Sequence, residues 1–211
     1  MNQQLEIVET YMTEMTPVPR RVRFNLDIES LDVGPKSVVT QVGMLAVDMD
    51  DPDTILWAEN IFLPMQPQIN IERTISASTL IWWLTDSNVT QDARDLFKNN
   101  AGDDIEEIAS QLRHIERKFN ELTDYGKLEY EVWARGPQFD VVNVESLFGD
   151  FGMTPPWKYN MIRDLRTIMS AAKLSTKDVP RPEALTGHVG LADAKYQLLC
   201  LNRAELELRK V

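Results

Sequence analysis

Asp27 and Glu29 stand two residues apart in the apolar stretch FNLDIESL. Side chains alternate between the faces of a strand, so here both carboxylates share one face while Leu26 and Ile28 pack on the other. Two carboxylates side by side repel unless a cation separates them. Oxygen donors of this kind suit a hard divalent ion such as Mg²⁺ or Mn²⁺. Alone the pair is a weak signal, because the chain carries 33 Asp and Glu. A solvated strand face would read the same way.

Three further residues could join the pair. Asp140 follows a Gly136-Pro137 turn and opens a helical stretch; taken singly it reads as an N-cap. His188 lies in the glycine-flanked loop GHVG, where an imidazole could move a proton near neutral pH. Asp193 comes at the start of the last helical stretch, where an acid is favoured on electrostatic grounds alone. Each has an ordinary structural explanation. The ordered set D-x-E, F-D and H-x4-D is more specific than its parts.

The elements that must position these residues follow from hydrophobic periodicity. RVRFNLDIES, SVVTQVGMLAVD (37–48) and TILWAENIFLP (54–64) read as three strands joined by short turns, an antiparallel meander. Residues 74–100 read as helical, with Ser78 or Thr79 as cap. Ile105, Ile108, Leu112, Ile115, Phe119 and Leu122 mark a long amphipathic helix over 103–123. KLEYEVWAR (127–135) is a strand, 139–152 a helix stopped by Gly149 or Gly152, and 159–165 a short strand or helix entry. Residues 163–174 and 191–210 are helical. The order implies a mixed sheet with helices on its faces, an α/β fold of RNase H-like architecture. Residues 1–20 are expected to form an N-terminal extension and 21–211 one domain, with 65–125 a mostly helical segment inside it.

Composition narrows the function classes. The 211 residues carry a net charge of −11, which argues against a broad basic face for long duplexes. It permits a small site whose bound cations supply positive charge. The one cysteine, Cys200, cannot form an internal disulfide and reads as a buried thiol. Neither a secretory leader nor a membrane span is expected, so a cytoplasmic location is. The acidic turn Asp48, Asp50, Asp51, Asp53 lacks the central glycine of an EF-hand and contains Pro52, so it reads as a solvated turn.

The five-residue pattern resembles the DEDDh 3′→5′ exonucleases, the superfamily of RNase T, oligoribonuclease and polymerase proofreading subunits. The resemblance runs from about Phe24 to the C-terminus. Ser30 stands where the family commonly has Thr, Phe139-Asp140 matches its second motif, and His188 to Asp193 has the spacing of the histidine subclass. DIESLDVGPKSVVTQVGMLAVD, LIWWL, WARGPQFDVVNVESLFGDFGMTPPWKY, RDLRT and HVGLADAKYQ resemble more closely a bacterial and phage branch related to a mycobacterial exoribonuclease. HVGLADA departs from that branch by lacking the Asn that often follows the histidine.

The resemblance implies two divalent ions, Mg²⁺ or Mn²⁺, held by Asp27, Glu29, Asp140 and Asp193. His188 would take the proton of the attacking water, and the product would be a nucleoside 5′-monophosphate. The substrates implied are 3′ ends of single-stranded DNA or RNA, or overhangs, in the cytoplasm (the host's, for a phage member). Dimerisation through 65–125 is a further expectation. Among weaker candidates, Trp82 and Trp83 could stack a base, although at least one reads better as core. Arg135 could neutralise the carboxylates, and Arg163 and Arg166 could hold phosphate or a partner chain. Trp157 reads as closing a loop and His114 as structural. Two other classes stay open: a non-catalytic binding module, which predicts a missing ligand position, and a metal-dependent endonuclease, which would cut circles.

Overall fold

The computed structural model describes residues 21–210. The expected extension 1–20 lies outside the described residues. β1 (Arg21–Ser30), β2 (Val39–Asp48) and β3 (Ile55–Phe62) form the antiparallel meander that the alternating sequence predicts. β4 (Glu129–Ala134) and β5 (Ile162–Asp164) then add in parallel on the other side of β1. The sheet order is β3-β2-β1-β4-β5, with only β2 running against the rest. This is the RNase H-like order, and it makes β1 the central strand.

Alternation along β1 separates packing from chemistry. Val22, Phe24, Leu26 and Ile28 are buried against Ile108, Leu112, Ile115 and Phe119 of α4 (Ile105–Leu122) and against α5 (Asp140–Asp150). The Phe24 and Phe119 rings stack with centroids 4.4 Å apart. The intervening residues Arg23, Asn25, Asp27 and Glu29 are polar. Two of them meet α7 (Gly190–Leu208): Arg23 pairs with Glu205 at 2.7 Å, and Asp27 accepts from Gln197 at 2.6 Å. Cys200 is fully buried beside Trp133, Leu165 and Tyr196, as expected of a structural thiol.

The segment after β3, read as helical over 74–100, is not one continuous helix. Instead there are α1 (Met65–Asn70), α2 (Ala77–Thr85), α3 (Gln91–Asp95) and a 3₁₀ turn (Leu96–Asn100). Asp86 causes the break: its carboxylate accepts from the Asn88 backbone, a local turn that competes with helix. Ser76, not Ser78 or Thr79, caps α2 by accepting from the Thr79 N–H. Two buried amides fasten the segment to the sheet. Gln68 bonds both backbone groups of Val39, and Asn100 donates to the carbonyls of Thr40 and Leu63. Trp157 does more than close a loop. It is buried in the main core against Phe119 and Phe148, and its indole donates to Glu145. The fifth strand is followed directly by α6 (Leu165–Ala171), capped by Asp164. Among the described residues no helix is long and apolar enough to cross a membrane.

Candidate active site

The carboxylates gather where β1, β4 and α7 meet. Asp27 lies opposite Gly43 of β2. A Cβ on Gly43 would fall 2.0 Å from the carbonyl carbon of Gly190, so only glycine lets the start of α7 sit on the sheet there. That close approach brings Asp193 and Gln197, one helical turn apart, over β1. Val189, the N-cap residue, supplies no side-chain cap. The sheet does so instead: Gln41 accepts from the Gly190 N–H and Asn60 from the Leu191 N–H. The first N–H groups of a helix need such acceptors, and here the acceptors are also the clamp that fixes the helix in place.

Asp140 is the first residue of α5 and is buried, but its side chain does not cap that helix. It turns back instead and accepts from the Gly136 N–H at 3.2 Å. The N-cap reading is therefore corrected: the carboxylate faces the sheet, not its own helix. Burial pushes its pKa up to about 7, against the lowering effects of the Gly136 and Ile28 backbone and of Arg166 and Arg135. Asp27 is raised well above the ordinary carboxylate range by burial first, then by Asp140, Glu29 and Asp193. Glu29 is raised likewise by burial, Asp193 and Asp140. Four acids crowded in this way carry an unfavourable charge that divalent cations would relieve.

His188 closes the site. It has φ 61°, a left-handed conformation that is costly for a residue with a Cβ. The loop's strained residue is thus the histidine itself, not the glycines beside it. Its N–H donates to Asp193 Oδ2 at 2.7 Å, and its ring stands edge-on to Trp82 and Trp83, with centroids 4.9 and 6.0 Å away. Ligand atoms of Glu29, His188 and Asp193 all lie within 4.8 Å of one another. Burial lowers the imidazole pKa below 6.5, so the ring is neutral at pH 7 and can accept a proton.

The weaker candidates divide. Trp83 is core, and its indole donates to the Ser30 carbonyl at 2.9 Å. Trp82, Ser30, Phe139 and Glu29 line one pocket of about 340 Å³. Ser30 Oγ is engaged by the Asp32 carbonyl. Arg163 pairs with Glu131 at 3.4 Å and donates to the carbonyls of Asn160 and Ile162. Arg135 and Arg166 lie on the β4–β5 side of the carboxylates. His114 sits far along the chain from all of these and bonds Glu59 at 2.8 Å.

Sequence reasoning missed two participants. Arg181 pairs with Asp193 Oδ1 at 2.5 Å while its guanidinium lies 4.6 Å above the Tyr196 ring. Gln197 fixes Asp27. The spacing of Asp193 and Gln197, four apart on a helix, was a usable signal for a shared face. Arg181 gave none, because it is brought in by an irregular loop. A lone glycine within the apolar strand VTQVGMLAVD was a signal for close backbone approach at Gly43.

No curated protein matches this chain. Among solved structures it is similar to the nuclease domain of 3′hExo, a DEDDh family member bound to rAMP. The identity is 12% and the TM-score 0.48, covering 90% of this chain and 94% of that one. It is also similar to cell-death related nuclease 4 (CRN-4), at 14% identity and TM-score 0.45, covering 89% of this chain. The match spans only 64% of the CRN-4 chain. The 3′-5′ exoribonuclease Rv2179c-like domain matches residues 22–204, a span that contains all five candidate residues, and the chain belongs to that family.

Proposed function

We propose that this chain is a divalent-metal-dependent 3′→5′ exonuclease, shortening single-stranded RNA or DNA ends and 3′ overhangs and releasing nucleoside 5′-monophosphates. The observation that carries the reading is the convergence of Asp27, Glu29, Asp140 and Asp193 beside a neutral imidazole, with the first three held above the ordinary carboxylate range, chiefly by burial. A donor set of four carboxylates fits Mg²⁺ or Mn²⁺. Asp27, Glu29, Asp140 and Asp193 would hold two such ions, which when bound stabilise charge on the reacting phosphate and make water more acidic.

The chain's own groups supply the rest. His188 accepts the proton of the attacking water, its ring held by the edges of Trp82 and Trp83. Gln197 keeps the Asp27 carboxylate in one orientation. The pocket beside Glu29 receives the terminal nucleoside, with Trp82 and Phe139 against the base. Glu29 is placed to accept from a terminal 3′ hydroxyl, which favours chain ends over internal bonds. A second copy of the chain is expected to pack against 65–125, where Ile81 and Leu84 of α2 are exposed. A monomeric mass across a concentration series in light scattering would remove that element.

The test is digestion of 5′-labelled RNA and DNA oligonucleotides with Mg²⁺, Mn²⁺ or EDTA, with a circular strand as control. The expected result is a ladder shortening from the 3′ end, absent with EDTA and absent on circles. No digestion with either metal would leave a binding module as the better account. Cutting of circles would indicate an endonuclease.

A further inference from the structure

The strands β1, β4 and β5 are parallel, so their carboxyl ends lie on one edge of the sheet. Ligands of open α/β sheets bind in crevices at such edges. The carboxylates occupy the edge at β1. A separate cavity of about 320 Å³ occupies it at β4 and β5. Its wall carries Arg135, the residue after β4, and Arg166, in the first turn of α6, with hydroxyls from Ser170 and Thr176 and apolar surface from Met169 and Leu174.

Both guanidiniums are exposed, and neither has an ion pair or a side-chain hydrogen bond among the described residues. In a chain of net charge −11, most cations near carboxylates are paired, as Arg23, Arg73, Arg163 and Arg181 are. These two line the cavity beside the carboxylates without such a partner. The Arg166 guanidinium lies over the β4–α5 turn, where a Cβ on Gly136 would stand 3.4 Å from Arg166 Nη1, an ordinary contact distance.

We propose that this cavity is a second subsite, which binds a phosphodiester of the single strand on the 5′ side of the scissile bond. The proposal rests on the exonuclease reading for its polarity. With the terminal nucleoside in the pocket beside Glu29, the reacting phosphate lies at the carboxylates. The strand then leaves across β4 toward β5, where Arg135 and Arg166 meet the next phosphate or the one after it. Guanidiniums suit this task because their planar donors match two phosphate oxygens at once. Met169 and Leu174 offer apolar surface to the adjoining sugar or base without reading its identity, so the subsite would grip strands regardless of sequence. It also accounts for how an acidic protein holds an anionic strand: the positive charge is concentrated beside the site instead of spread over a face.

The experiment uses a 5′-labelled RNA hexanucleotide whose 3′-terminal linkage is a methylphosphonate, so that it binds without turnover. Anisotropy gives the Kd over a range of salt for the wild type, R166Q, R166K and S170D, with Mg²⁺ present. For R166Q the expected Kd rises about tenfold to a hundredfold. The dependence of log Kd on log salt becomes shallower by about 0.7 for one lost phosphate contact on a single strand. R166K should restore most of the slope, and S170D should weaken binding by placing a negative charge in the cavity. An unchanged Kd and slope in R166Q would overturn the subsite. So would weaker binding with the wild-type slope, because that marks a structural effect and not a phosphate contact. Wild-type protein that digests RNA while R166Q keeps the slope would overturn the subsite alone. Wild-type binding with no digestion of an unmodified oligonucleotide would instead overturn the exonuclease reading and leave the subsite standing. Absence of wild-type binding would overturn the subsite as well.

Discussion

Loading the carboxylate site with metal should expel protons, and the amount follows from Asp140. With its pKa pushed up to about 7, the group is about 0.9 protonated at pH 6 and about 0.1 protonated at pH 8. A carboxylate must be ionised to hold a divalent ion, so binding releases about 0.9 proton from Asp140 at pH 6 and about 0.1 at pH 8. Asp140 alone should then weaken apparent Mn²⁺ affinity about tenfold between pH 8 and pH 6. Asp27 and Glu29 are raised for the same physical reason and add to the release. The assay is isothermal titration of Mn²⁺ at pH 6 and pH 8 in buffers of different ionisation enthalpy. Heats at pH 6 that do not depend on the buffer would refute the reasoning, because no proton would then leave with binding.

The same shift has a counterpart in stability. The folded Asp140 value lies above the ordinary 3.8, so the folded state binds more protons between the two. Its contribution is present below pH 4 and is lost as pH rises through 7, at most roughly 4 kcal/mol. His188 acts in the opposite sense, since a lowered histidine loses stability as pH falls through its folded value. The carboxylates outnumber it. Metal-free protein should therefore melt at a lower temperature at pH 8 than at pH 5.5, and Mn²⁺ should raise the melting temperature most at pH 8. A metal-free melting temperature that rises over that range would contradict the assignment.

The other predictions concern single substitutions. Asp27→Ala should leave the circular dichroism spectrum unchanged and abolish metal-dependent digestion, and near-normal turnover would remove Asp27 from the site. His188→Ala should lower the single-turnover rate by about 10²–10⁴-fold with Mn²⁺ affinity nearly unchanged; an unaltered rate would exclude it as the base. Arg181→Gln frees Asp193 from its ion pair, so Mn²⁺ affinity without nucleic acid should rise about two- to fivefold. A fall in affinity would mean that Arg181 positions the carboxylate and does not compete for it. Gly43→Ala puts a methyl group into the backbone of Gly190, and should cost more than the roughly 1–3 kcal/mol of ordinary overpacking, read from urea unfolding. Wild-type stability in that variant would show that α7 can shift without harm.

Much of this protein can be read from local pattern. The alternation of FNLDIES fixes a strand with an apolar face and an acidic face, because strand side chains repeat every two residues. The 3.6-residue recurrence from Ile108 to Phe119 fixes the helix that covers the apolar face. The order of D-x-E, F-D and H-x4-D names the five residues that could share a metal site. These are short-range properties, set by covalent geometry and by which side chains prefer water.

What local pattern could not decide is where separate elements meet. Nothing near Asp140 in sequence says that its carboxylate turns to the Gly136 backbone instead of capping its helix. Arg181 reaches Asp193 through an irregular loop, and irregular loops have no period to read. The seat of α7 depends on Gly43 and Gly190, 147 positions apart in the chain, touching in space, with Gln41 and Asn60 as its caps. The raised pKa values exist only once burial and mutual repulsion act together. Residue types and spacing thus determined which groups could do chemistry; tertiary packing decided their distances, their burial and hence their charge, because Coulomb and desolvation energies depend on positions in space and not on positions along the chain.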